Sequence, residues 1–243
     1  MQPIRVILVR TTHAGNIGSV ARAMKTMGLT ELYLVEPKSF PDKEANIMAS
    51  HADDVLDNAV VVSSLDEALA DCQLIFATSA RQREIDWPVV TPRAAAEHAQ
   101  AYAQQSPQAK VAVLFGAERT GLLNVELQRA HYHIVIPANP DYASLNLAQA
   151  VQVIAYELRV ADLSGTATDD DQLPSLADAQ SVEQLYVHLQ EGLQQVGFLK
   201  ANNRDKHQAL MTRLKRLFQR AQLQADEVTI LRGICSAMQN KQQ

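Results

Sequence analysis

Cysteine is nearly absent: Cys72 and Cys235 are the only two in 243 residues, and neither sits in a CxxC pair. A disulfide framework and a cysteine zinc site are therefore not expected, and two reduced, mostly buried thiols are. Long apolar runs are missing too. The best, 111–117, is strand-sized against the roughly 18 residues that a membrane span needs. The first nine residues enter an alternating apolar pattern with no small-residue cleavage site behind it, so neither a leader nor a membrane partner is expected, and the expected compartment is the cytoplasm. His131 and His133 alternate along one strand without a third ligand, which speaks against a metal.

Basic charge is missing from one stretch, and acid is nearly missing from the next. Residues 162–199 carry seven acids and no Lys or Arg, whereas 200–220 carry seven bases against Asp205 alone. The overall charge of -5 argues against a nucleic-acid partner, but an average hides a local excess of this kind. Lys206, Arg213, Lys215, Arg216 and Arg220 are candidate phosphate contacts, with a solvated helix face as the alternative.

A chain that is 47% hydrophobic can bury a substantial core. Apolar, β-branched runs near 4–9, 31–35, 59–63, 74–78, 110–115 and 133–136 alternate with helical patterns at 18–27, 65–70, 92–104, 124–130 and 145–161. This alternation predicts an α/β fold with a mostly parallel sheet and helices on both faces. Residues 162–180, rich in Ser, Thr, Asp, Gly and Pro, read as an acidic linker. Beyond it, 181–196, 206–221 and 226–239 form a small helical C-terminal segment with apolar stripes such as Leu210, Leu214, Leu217 and Phe218. The expected organisation is a catalytic domain at 1–161, the linker, and a helical extension at 181–243.

Three polar loops follow predicted strands. In the first, 13–28, Gly15 and Gly18 lie at a strand-to-helix turn whose free N–H groups could receive an anion, with Asn16 and Arg22 nearby. The plain alternative makes Asn16 a helix cap and Arg22 a solvated charge. Glu36 lies where a ribose-binding acid of a nicotinamide site belongs, but Gly15-x-x-Gly18 is not GxGxxG. In the second loop, 114–122, Gly116 admits close backbone approach, Glu118 can accept hydrogen bonds and Arg119 can reach a phosphate. The third, 136–147, is stiffened by Pro137 and Pro140, with Ser144 as the expected helix cap and Asn146 on the first turn. In an open α/β sheet, ligands bind beyond the carboxyl ends of strands, where all three loops would lie.

Asn16 with Arg22, then Gly116 with Glu118, then Ile136-Pro137 with Ser144-Leu145-Asn146, resemble in order and spacing the three motifs of the SPOUT methyltransferases. The resemblance is to their tRNA ribose 2'-O-methyltransferase branch, over about residues 1–161. With its basic tail, the whole chain is similar to the bacterial members that methylate cytidine or uridine at position 32 of the tRNA anticodon loop. This implies a SPOUT-like C-terminal trefoil knot in the catalytic domain, S-adenosyl-L-methionine (AdoMet) as cofactor, S-adenosyl-L-homocysteine as product, and a homodimer. Thr78, Ser79, Ala80, Gly116, Ile136, Ala143, Ser144 and Leu145 would line the AdoMet pocket. Arg22 would be catalytic, helped by Asn16, Ser144, Asn146 and Glu118. Ala143 stands where some relatives carry a second serine, and a backbone contact survives that change. Arg10 stands where close relatives carry an acid, so its part in RNA contact or pocket charge stays open.

A ribose 2'-hydroxyl is a weak nucleophile at neutral pH, so methyl transfer needs in-line positioning and help with the proton. Arg22 could orient the hydroxyl and the adjacent phosphate. Whether it takes the proton is open, since an arginine normally keeps its own. Two rivals remain: a non-catalytic RNA-binding regulator that retains the fold, and a dehydrogenase using the glycine turn.

Overall fold

Strands buried on both faces are largely apolar, and β1 (Ile4–Val9) has every residue buried, Arg5 being its one charged side chain. The computed structural model describes residues 4–79, 87–106, 108–164, 176–199 and 204–240, with the backbone alone at 204 and 205. After β1 come α1 (Ala14–Thr26), β2 (Glu31–Val35), α2 (Lys43–Ala49), α3 (Asp53–Asp57), β3 (Val60–Val62), α4 (Leu65–Leu69) and β4 (Cys72–Thr78). The unit continues with β5 (Val89–Val90), α5 (Pro92–Gln105), β6 (Lys110–Phe115), α6 (Asn124–Leu127), β7 (Tyr132–Ile134) and α7 (Leu147–Ser164). Among the described residues the strands form one parallel sheet in the order β3-β2-β1-β6-β4-β7-β5.

This order creates the place for a site. β1 and β6 are neighbours, but the chain leaves β1 toward β2 on one side and leaves β6 toward β7 on the other. Such a reversal opens a crevice at the carboxyl ends of the two strands. The loops at 10–13 and 116–123 therefore face each other across it.

Several boundaries differ from the sequence reading. α1 begins at Ala14, four residues early, so Gly15 and Gly18 lie inside the helix. A Cβ on Gly18 would meet the Ala45 carbonyl oxygen at 1.9 Å, so Gly18 exists to let α2 pack on α1, not to admit an anion. α2, α3 and the two-residue β5 lie where the sequence reading assigns no element. α7 starts two residues later than expected and runs three residues past 161, into the stretch read as linker.

Arg5 is a charge inside β1, 2% exposed, that the strand pattern did not flag. It donates to the Ala68 carbonyl and to Asp71 Oδ1, both at 2.7 Å, and lies 4.0 Å over the Tyr33 ring. Burial alone would push the Asp71 carboxyl up, but hydrogen bonds from Arg5 and Lys110 hold it at about 2. The adjacent Cys72 thiol is pushed up to about 12 by burial, which makes it an unreactive packing group. No helix among the described residues is long and apolar enough to cross a membrane.

The chain divides into two compact units, Met1–Leu173 and Pro174–Gln243. The second contains α8 (Ala179–Gln195), α9 (Arg204–Ala221) and α10 (Ala225–Asn240). Its core joins Ala177, Leu185, Leu223, Val228 and Cys235, with Phe218 packed against them. Leu217, expected on the apolar stripe of α9, is instead 47% exposed.

Candidate active site

The ends of β4, β6 and β7 surround a cleft of about 1080 Å³. Thr78 and Ser79 enter it from β4, Gly116 and Glu118 from β6, and Ile136, Ala143, Ser144 and Leu145 from the segment after β7. Every residue expected at a cofactor pocket thus lines this one cleft, except Ala80, which lies outside the described residues. Leu122, Asn124, Leu127, Gln128, Trp87 and His133 also line its walls. Leu122 closes the second polar loop and His133 is weighed from sequence only as a metal ligand, whereas Trp87, Asn124, Leu127 and Gln128 carry no pattern in the sequence that marks them.

Gly116 is where the loop crosses itself. A Cβ there would meet the carbonyl carbon of Gly121 at 2.1 Å and the Leu122 nitrogen at 2.2 Å, and Gly121 itself has φ +64°. Only glycine at 116 lets the chain return this closely after β6. Thr78 Oγ1 donates to the Leu114 carbonyl at 3.0 Å, joining the ends of β4 and β6.

The anion at the N-terminus of α1 is the protein's own Glu118. Its Oε2 accepts from the Thr12 N–H at 3.0 Å and the Thr12 hydroxyl at 2.7 Å, while Oε1 accepts from the His13 N–H at 3.2 Å and Asn16 Nδ2 at 2.8 Å. Partial burial pushes the Glu118 carboxyl up, but these donors outweigh it and hold it at about 2. Asn16 in turn accepts from Asn146 Nδ2 at 3.0 Å. One hydrogen-bonded line, Asn146 to Asn16 to Glu118, therefore ties all three loops together.

This geometry sets aside the alternative that made Asn16 a helix cap and corrects the expectation that Ser144 caps α7. Asn16 lies in the first turn of α1 and points across to Glu118 instead of capping its own helix. Ser144 is not the cap of α7: Asn146 Oδ1 accepts the Ala148 N–H at 2.9 Å, and Ser144 lines the cleft.

Arg22 does not line the cleft. It is exposed on α1, with no side-chain partner among the described residues. Arg119 does line it, exposed and likewise without a partner. His131 Nδ1 accepts the Ile75 N–H at 3.1 Å, and full burial lowers its pKa to about 4, so it is a neutral structural acceptor. His133 lines the cleft, with Nε2 3.0 Å from the Leu127 carbonyl and its ring stacked on Trp87. Glu36, exposed at the end of β2, lines no part of this cleft.

The predicted phosphate contacts on α9 separate into two groups. Lys206, Arg213 and Arg220 are exposed and have no side-chain partner among the described residues. Lys215 donates to Glu183 Oε1 at 3.0 Å and lies over the Tyr186 ring at 5.1 Å, and Arg216 is half-buried and engaged.

A parallel sheet with a polar-rimmed cleft at the carboxyl ends of its strands defines a ligand-binding α/β enzyme class. The SpoU rRNA Methylase family model matches residues 3–156, and that of the tRNA methyltransferase TrmJ C-terminal domain matches 180–243. The tRNA (cytidine/uridine-2'-O-)-methyltransferase TrmJ of Pectobacterium atrosepticum is 50% identical over 241 residues, 97% of this chain and 96% of its own. The crystal structure of TrmJ from Z. mobilis superimposes with TM-score 0.84 at 34% identity, covering 98% of this chain and 99% of that one. A fold-level likeness, TM-score 0.52 at 22% identity over 68% of this chain and 60% of the other, links it to the SpoU methyltransferase AviRb of Streptomyces viridochromogenes in complex with AdoMet. The chain belongs to the SpoU methylase family, in its TrmJ-type branch.

The Glu118 network makes a prediction about pH. A carboxyl whose folded value is depressed stabilises the protein above its unfolded pKa, and that contribution is lost as pH falls through the folded one. Here the window runs from the ordinary 4.5 down to about 2. Glu118→Gln should destabilise the protein at pH 7, and its unfolding midpoint in urea should converge on that of the unaltered protein as pH falls below about 4.5. A pH-independent gap would contradict the account.

Proposed function

We propose that the protein transfers a methyl group from AdoMet to the ribose 2'-hydroxyl of a cytidine or uridine at position 32 of the tRNA anticodon loop, acting as a homodimer in the cytoplasm. The observation that carries this reading is that the second and third loops line one cleft and are joined through Asn16 of the first by the Asn146–Asn16–Glu118 line. The cleft suits the cofactor chemically. Leu122, Leu127, Ile134 and Ile136 offer an apolar slot for a purine, and Thr78, Ser79 and Ser144 offer polar groups for its ribose and amino-acid ends. AviRb, which shares the fold, holds AdoMet. The family's trefoil knot belongs to the same proposal and would wrap 116–123 and 136–147 about the cofactor.

AdoMet supplies a methyl group on a sulfonium, which leaves the bonding electron pair with sulfur when the ribose oxygen attacks. The protein's part is position and charge. Arg22 donates hydrogen bonds to the hydroxyl oxygen and the adjacent phosphate, countering the negative charge that grows as the hydroxyl proton passes to solvent water. Arg119, at the cleft, is placed for a neighbouring phosphate. Since Arg22 is outside the cleft of its own protomer, the homodimer is the reading that unites them: Arg22 of one copy serves the cleft of the other. Lys206, Arg213 and Arg220 hold the tRNA body.

The test is to incubate the protein with total tRNA and AdoMet labelled on its methyl group, then map the product. A 2'-O-methylated pyrimidine at position 32 is expected. Binding of tRNA without label transfer would favour the regulator that keeps the fold without the chemistry.

A further inference from the structure

An ion pair at the edge of the cleft has no role in the chemistry above. Arg10 directly follows β1 with φ 52°, a left-handed conformation uncommon outside glycine, and its N–H donates to the Val35 carbonyl at 2.8 Å. Both terminal nitrogens of its guanidinium face one carboxylate: Nη1 donates to Glu126 Oε1, and Nη2 to Glu126 Oε2 at 3.0 Å. The Glu126 side chain is 7% exposed, and Oε2 also accepts the Leu123 N–H at 2.6 Å at the start of α6. A carboxylate this buried is stable only with such donors, and the fork-to-fork match makes the pair directional.

Its neighbours show what the pair controls. Leu122, Asn124, Leu127 and Gln128 flank Glu126 and line the cleft, and the Leu127 carbonyl meets His133, which lines it too. At the other end of the same segment, Glu118 is held by Thr12, His13 and Asn16. The cleft wall from 118 to 126 is thus fastened at both ends to one stretch, 10–16. An arginine meant for RNA phosphate would leave its fork free, and that of Arg10 is taken.

We propose that Arg10 is a positioning residue for the cofactor: by clamping Glu126 it fixes the α6 wall of the cleft and so sets the affinity for AdoMet, without contacting tRNA. This rests on the AdoMet reading above. Trp87, the only tryptophan of the chain, lines the cleft, so quenching of its fluorescence reports ligand binding without turnover.

The experiment titrates S-adenosyl-L-homocysteine into the full-length protein and its variants. Arg10→Ala should raise the Kd, and the KM for AdoMet, about tenfold, as expected for removing charge-assisted hydrogen bonds. kcat at saturating AdoMet should stay within about threefold, and the KM for tRNA and its salt dependence should not move. Arg10→Lys, which keeps the charge but not the fork, should fall between. Glu126→Gln preserves the shape and the acceptor for Leu123, should raise the Kd as well, and carries the test if Arg10→Ala does not fold. The double variant should be no worse than the weaker-binding single one. An unchanged Kd in the folded variants, or a change confined to tRNA affinity and its salt slope, would overturn the proposal. Failure of the unaltered protein to bind the probe would instead sink the AdoMet reading itself.

Discussion

Arg22→Ala should lower kcat by about 100- to 1000-fold at saturating tRNA while leaving the Kd for S-adenosyl-L-homocysteine unchanged. That is the usual cost of removing one donor aimed at a developing oxyanion. The split follows from geometry, since Arg22 is exposed on α1 and touches none of the cleft that would hold the cofactor. The same placement makes a sharper test possible. If Arg22 serves the partner's cleft, mixing an Arg22→Ala protomer with one whose cleft is blocked by Gly116→Val should restore part of the activity that each lacks alone. Such mixed dimers pair one intact arginine with one intact cleft. Near-normal turnover by Arg22→Ala would remove Arg22 from the chemistry, and complete inactivity of the mixture would place it in its own protomer's site.

The second large effect concerns tRNA. Changing Lys206, Arg213 and Arg220 together to alanine should weaken tRNA binding at least tenfold at low salt. It should also flatten the dependence of log affinity on log salt by roughly 0.7 to 0.9 for each phosphate that is no longer neutralised. AdoMet binding should be unaffected. Lys215→Ala should behave differently. Its ammonium is committed to Glu183 and the face of Tyr186, so its removal should cost the C-terminal unit stability more than it costs tRNA affinity. Binding measured by filter retention across a salt series, beside thermal unfolding, separates the two. A triple variant with an unaltered salt slope would make the basic face of α9 a solvated surface.

The three loops were legible because their chemistry is local: glycine where a strand ends, and Asn, Glu and Ser at fixed offsets. What each residue does was less legible. Asn16 and Ser144 both fit a helix-cap pattern, yet Asn16 spends its amide on Glu118 and Asn146, and the cap of α7 is Asn146. Gly18 fits an anion-binding turn as well as a helix-packing position. Only the place of the Ala45 carbonyl distinguishes them. Glu126 could have been noticed, since an acid three residues after a helix start is the spacing of a capping box. Nothing in the sequence, however, joins it to Arg10, 116 residues away.

By itself, the sequence determined the alternation of strand and helix, the parallel sheet, the three polar loops and the basic face of the tail. Each of these follows from periodicity, turn chemistry or charge within a dozen residues. The tertiary structure decided the strand order that sets the β1 and β6 loops face to face, the filling of the α1 N-terminus by Glu118, and the distance of Arg22 from the cleft of its own chain. Those depend on which distant segments share a desolvated space. A buried carboxylate takes whatever donors the fold brings to it, and the chain's local pattern does not say which they are.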